Sequence, residues 1–149
     1  MTTIVDFNQI ILSLIELFKA LSFVEKDKLK AVTSKDLDTL NACIKNEQVQ
    51  VLKLKGLDKK REQVQAALGY ENRSFKEIIA LLPEEQKKES KELFAMLEQA
   101  TADFNAVNDS VKTALDVNLH VVNTKLSKLG INPDMEQVPS GKNFKNRFA

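Results

Sequence analysis

The sequence predicts an all-α protein, an antiparallel bundle of three long coiled-coil-like helices with a short helix in the second connection. Three observations predict it. Only 4 glycines and 3 prolines punctuate the 149 residues, too few turn formers for a β-sandwich or an α/β fold. Helix-start signatures recur as a Ser or Thr followed three residues later by an acid, at Thr3…Asp6, Thr33…Asp36 and Ser74…Glu77. Such pairs satisfy the orphan N–H groups of a first turn. Between these marks the apolar residues recur in steps of three and four, the spacing of one helix face.

The first helix is placed at residues 4–31. Ile10, Ile11, Leu12, Leu14, Ile15, Leu17, Phe18, Leu21, Phe23 and Val24 leave it little polar surface, so it should be central and contacted from two sides. Its later part, EKDKLK, reads as solvated on most sides. The run IILSLIELFKALSF follows Asp6 rather than basic residues and is broken by Glu16 and Lys19. It is therefore expected to be neither a targeting signal nor a membrane span.

The second helix is placed at 35–68. Leu37, Leu40, Ile44, Val51, Leu54, Leu57, Val64 and Leu68 form a heptad-like stripe that Glu47 and Arg61 interrupt. Gly69 offers a left-handed stop. Gly56 lies inside this helix at a cost of roughly 1 kcal/mol against alanine. It is either a tolerated surface position or a point of close helix approach or kinking. A short helix, 74–82, follows Ser74.

LPEEQ opens the last helix, placed at 84–129. Pro83 suits a first helical position, and Glu84 and Glu85 complement the helix dipole. Leu93, Leu97, Ala100, Phe104, Val107 and Val111 alternate steps of four and three, a left-handed coiled-coil seam. The step then stays at four through Leu115 and Leu119, which rotates the stripe around the helix. It resumes at Val122, Leu126 and Leu129 and stops at Gly130. Residues 1–130 thus form the bundle. Residues 131–149, with Pro133, Pro139, Ser140 and Gly141, form a mobile C-terminal tail.

Charge and chemistry exclude several functions. With 22 basic and 21 acidic residues, net charge +1, there is no footprint for nucleic acid or for a polybasic membrane contact. The sole histidine, His120, has one carboxylate nearby in the helix, Asp116, which makes no zinc site. Cys43 has no basic neighbour placed to activate it and reads as a small apolar residue. Alone, it cannot form an internal disulfide, which fits a reducing, cytoplasmic location. The glycines are too scattered for a phosphate loop. Neither an enzyme nor a cofactor is expected.

Length supplies a positive expectation. At about 1.5 Å per residue the last helix exceeds the second by about 18 Å and the first by about 27 Å. An overhang carrying Leu119, Val122, Leu126 and Leu129 would expose an apolar interaction surface. Two rivals stand beside this reading. The helix could break near Asn105–Ser110 or Asn118 and fold its end home. Alternatively, the stripe could serve only self-association, in a structural or signalling coiled-coil homo-oligomer.

Three segments carry a family likeness. They are AVTSKDLDTLNACIKNEQVQVLKLKGLDKKREQVQAALGY, SFKEIIALLPEEQKKESKELFAML and FNAVNDSVKTALDVNLHVVNTKL. Their order, lengths and punctuation by Asn105, Asn108 and Asn118 resemble flagellar type III export chaperones of the FlgN type, over about residues 4–130. The resemblance implies a small cytosolic chaperone without nucleotide or metal. Its partners would be flagellar hook-associated (hook–filament junction) proteins, bound through a C-terminal amphipathic segment, and the export gate or ATPase complex. Client binding would fall on Val111, Leu115, Leu119, Val122, Leu126 and Leu129. The family's tail often carries a tyrosine for gate docking. This tail departs from that pattern, offering Phe144 and Phe148 in NFKNRFA instead.

Overall fold

The computed structural model describes residues 1–130, and within them it leaves the side chains at 118, 119, 121–123, 125 and 126 undescribed. The expected tail lies outside the described residues. Four helices follow in order: α1 (Ile4–Ser34), α2 (Leu37–Ala67), α3 (Phe75–Leu81) and α4 (Glu84–Lys128). No strand occurs among the described residues. The long helices run up, down and up, so α2 is antiparallel to both neighbours in sequence, and α3 lies in the second connection.

Caps explain most of the boundaries. Thr3 and Asp6 form the reciprocal box that starts α1, and the Ser74 hydroxyl accepts from the Glu77 N–H at the start of α3. Gly69, at φ +82°, closes α2 in a Schellman motif. Its N–H bonds the Ala66 carbonyl, and the Tyr70 N–H reaches Gln65.

The first connection departs from expectation. α1 continues three residues further, to Ser34, and the Thr33 hydroxyl bonds back to the Leu29 and Lys30 carbonyls instead of capping α2. Asp36 is the α2 cap, accepting from the Thr39 N–H and hydroxyl. These bonds hold its carboxyl below the usual range. Lys35, not a glycine, takes the left-handed position at φ 57°. The same Schellman pair then forms, from Lys35 N–H to Val32 and Asp36 N–H to Ala31.

α1 is central, as its all-round apolar composition requires. It packs on α2 along one side and on α4 along another, while α2 and α4 scarcely meet. The core centres on Phe7, Ile11, Leu14, Phe18 and Leu21 of α1, with Leu54 of α2, Phe75 and Ile78 of α3, and Phe94, Leu97 and Phe104 of α4. Rings of Phe7 and Phe94 each lie against Phe75, at 5.6 and 5.8 Å between centroids. By length and hydropathy α1 could cross a bilayer, contrary to the expectation from Glu16 and Lys19. However, 61% of its most apolar window is buried inside the bundle, so the run serves as core.

The two interruptions of the α2 stripe are polar links, not gaps. Glu47 accepts from Lys28 of α1 at 2.6 Å. Arg61 bonds Asp58 at 3.0 Å and Gln65 at 2.7 Å, with its guanidinium 6.0 Å from the Phe75 ring centre. Buried Gln65 in turn donates to the Tyr70 and Arg73 carbonyls and so ties the end of α2 to the loop before α3. EKDKLK is exposed at Lys26, Asp27 and Lys30, while its remaining side turns inward: Glu25 is 1% exposed and Lys28 is half-buried against Glu47 of α2.

Gly56 is a surface position. A Cβ placed there meets nothing within 4 Å, and α2 runs through it unbroken. Gly56→Ala should therefore stabilise the fold by about 0.5–1 kcal/mol, measured as a higher urea midpoint with unchanged slope.

Candidate functional site

The candidate surface is the far end of α4, and the pairing of α1 with α4 determines how far it projects. These two helices run in the same direction from a common level. Near that level the Ser90 hydroxyl donates to Asn8 Oδ1 at 2.7 Å inside the core. Further along, the Phe18 and Phe104 rings lie 5.8 Å apart. At equal rise Ser34, the last residue of α1, comes level with roughly residues 116–120 of α4. α4 has 45 residues against 31 in α1, about 21 Å more, and is unbroken at Asn105–Ser110 and at Asn118. Beyond that level α1 has ended and α2 has turned back.

The expected stripe therefore divides along its length. Val111 is 2% exposed and belongs to the core, so a partner reaches it only by opening the bundle. Leu115 is half-buried at the rim. Leu119, Val122 and Leu126 lie on the helical stretch beyond, their side chains undescribed. Leu129, at the closing turn, is 74% exposed. There the Gly130 N–H bonds the Ser127 carbonyl, with Gly130 at φ +77°. Val117, outside the expected stripe, is 57% exposed. Helical spacing could have singled it out, since its neighbour toward the bundle, Ala114, is half-buried on the adjoining face. Phe144 and Phe148 lie outside the described residues.

Reactive groups do not converge here. His120 is exposed on α4. Cys43 is buried, and burial, then the Asp27 carboxylate, pushes its thiol pKa up, away from nucleophilic use. Among the described residues no three His, Cys, Asp or Glu side chains gather as a metal site.

The one strongly perturbed cluster is Glu25, Lys28 and Glu47, between α1 and α2. Burial first, then the hydrogen bond and charge of Glu47, push Glu25 up to about 8. Burial opposes ionisation of Glu47 as well, but hydrogen bonding to Glu25 and Lys28 and the Lys28 charge outweigh it and hold that carboxyl low. For Lys28, burial is outweighed by the two carboxylates, which raise its pKa. Joining α1 to α2 through the 2.6 Å Lys28–Glu47 contact, this triad serves as a structural polar link.

What remains is a long helix with an apolar end, in a molecule without a reactive centre among its described residues. Comparison with curated proteins and with solved structures finds no match. Comparison with protein families matches residues 1–134 to the FlgN protein family, which spans every described helix. The chain belongs to the FlgN family and is a non-enzymatic chaperone of flagellar hook-associated proteins during their export.

Proposed function

We propose that the projecting end of α4 is the client-binding surface, with Leu115, Leu119, Val122, Leu126 and Leu129 receiving a C-terminal amphipathic segment of a hook-associated protein. The supporting observation is the unbroken run of α4 past the level where α1 ends, with Val117 and Leu129 exposed on it. A client helix laid there buries apolar side chains worth roughly 1.5–3 kcal/mol each before the costs of association. Covering the segment in the cytosol prevents its premature assembly, and the complex is then delivered to the export apparatus. Phe144 and Phe148, in a basic setting with Lys142, Lys145 and Arg147, are the proposed contacts for the export gate or ATPase complex.

Titration calorimetry with the purified C-terminal fragment tests the reading. The wild-type chain should bind one fragment per monomer. Leu119→Asp or Leu126→Asp should weaken binding about a hundredfold, with far-ultraviolet circular dichroism unchanged. If the fragment does not bind at micromolar concentration, the reading fails. If light scattering instead shows a stable oligomer that the same substitutions convert to monomers, the stripe serves self-association.

A further inference from the structure

A groove of about 590 Å³ runs between α1 and α4, on the bundle side of the projecting end. Its walls carry Lys19, Ser22, Phe23 and Lys26 of α1, and Met96 and Val107 of α4. Four features mark it as unfinished surface. Phe23 is 70% exposed and Met96 49%, large apolar groups that a closed bundle would cover. Among the described residues the Ser22 hydroxyl finds no hydrogen-bond partner, although Ser22 is only 8% exposed. Among the described residues Lys19 and Lys26 have no carboxylate in ion-pair contact, and the Lys26 ammonium lies 5.8 Å from the centre of the Phe23 ring. The opposite rim differs in charge, since Asp103 accepts from Gln99 at 2.8 Å and leaves the α1 rim as the cationic edge.

The α4 wall of the groove reaches Val107, and Val117 lies ten residues further along the same helix, about 15 Å toward the projecting end. Between them Ala114 is half-buried, and Val117 is exposed. We infer that the α1–α4 groove is a second part of the client footprint, seating an amphipathic helix whose apolar face covers Phe23, Met96 and Val107 and whose acidic flank pairs with Lys19 and Lys26. This rests on the client-binding reading of the α4 end. The Met96 side chain adapts to varied apolar partners, and the one-sided charge sets the direction in which the helix lies.

The test uses the full chain and the C-terminal client fragment, with a photoreactive benzoylphenylalanine at position 23 or at position 117. The position-23 probe should yield a one-to-one crosslink to the fragment. Lys19→Glu with Lys26→Glu should weaken fragment binding about tenfold, with the deficit shrinking at high salt. If only the position-117 probe crosslinks and the charge reversal binds as wild type, the groove lies outside the footprint and the α4 end stands alone. If the position-23 probe crosslinks two copies of this chain, the occupant is a second copy and the inference falls. If neither probe captures the fragment, the client-binding reading itself fails.

Discussion

Phe18→Ala is expected to destabilise the protein by about 3–5 kcal/mol, a large share of the 5–15 kcal/mol typical of a domain. Phe18 is 1% exposed in the middle of α1 and meets Phe104 of α4 edge-on to tilted at 5.8 Å. Truncation removes the transfer energy of a whole ring, and two rigid helices then hold the cavity open. The aromatic pair adds its own contribution of about 0.5–1.5 kcal/mol. With urea slopes of about 1–3 kcal/mol/M, the midpoint should fall by more than about 1 M. Phe23→Ala is the internal control. Five residues along the same helix, its ring is mostly in water, and the change should stay within about 0.5 kcal/mol. Equal losses at the two sites would contradict the position of α1 between its neighbours.

Stability is also expected to fall as pH rises from about 5 to 8.5, the reverse of ordinary acid denaturation. Glu25 has a folded pKa of about 8 against an ordinary value of 4.5. Between those limits the folded chain holds a proton that the unfolded chain has lost, so raising the pH favours unfolding. The full span corresponds to at most about 4–5 kcal/mol. Glu47 and Lys28 do not compensate in this window. The depressed Glu47 contributes stability above its unfolded pKa and loses it only as pH falls through its folded value. The raised Lys28 contributes in full throughout this window, which lies below its unfolded pKa, and loses that contribution only as pH rises through its folded value. Glu25→Gln should flatten the profile, leaving the variant more stable than wild type at pH 8.5 by a few kcal/mol. Urea unfolding at pH 5.5 and 8.5 measures both; a wild-type curve that is level or rising would refute the assignment.

The fold was legible because helix ends are chemically marked. Thr3, Ser74, Gly69 and Gly130 each do locally what their residue types allow, so boundaries at those caps fall within a residue or two of expectation. The α1–α2 turn was misplaced for the complementary reason. Lys35 adopts a left-handed conformation that its side chain does not advertise, held by the backbone bonds of Lys35 and Asp36 to Val32 and Ala31.

Burial on α1 was harder to assign. A helix apolar all round announces two neighbours without saying which residues fall between them, so Phe18 and Phe23 look alike in sequence and differ completely in place. Nothing in EKDKLK itself marks Glu25 and Lys28 as its inward-facing members, because the partner that makes their burial tolerable, Glu47, lies on another helix. At the candidate site the length mismatch was visible from the caps. The split of the stripe, with Val111 inside the core, was not visible, since it depends on where α1 stops.

That α2 and α4 each hold on to α1 and scarcely to each other has a consequence during synthesis. The Asn8–Ser90 bond joins residues 82 apart in sequence. At about 5–20 residues per second, roughly 4–16 seconds separate their translation. Over that interval the most apolar helix of the chain is made before the helix that covers its second flank. A protein whose task is to shield the exposed segments of others is, while being made, in need of the same protection.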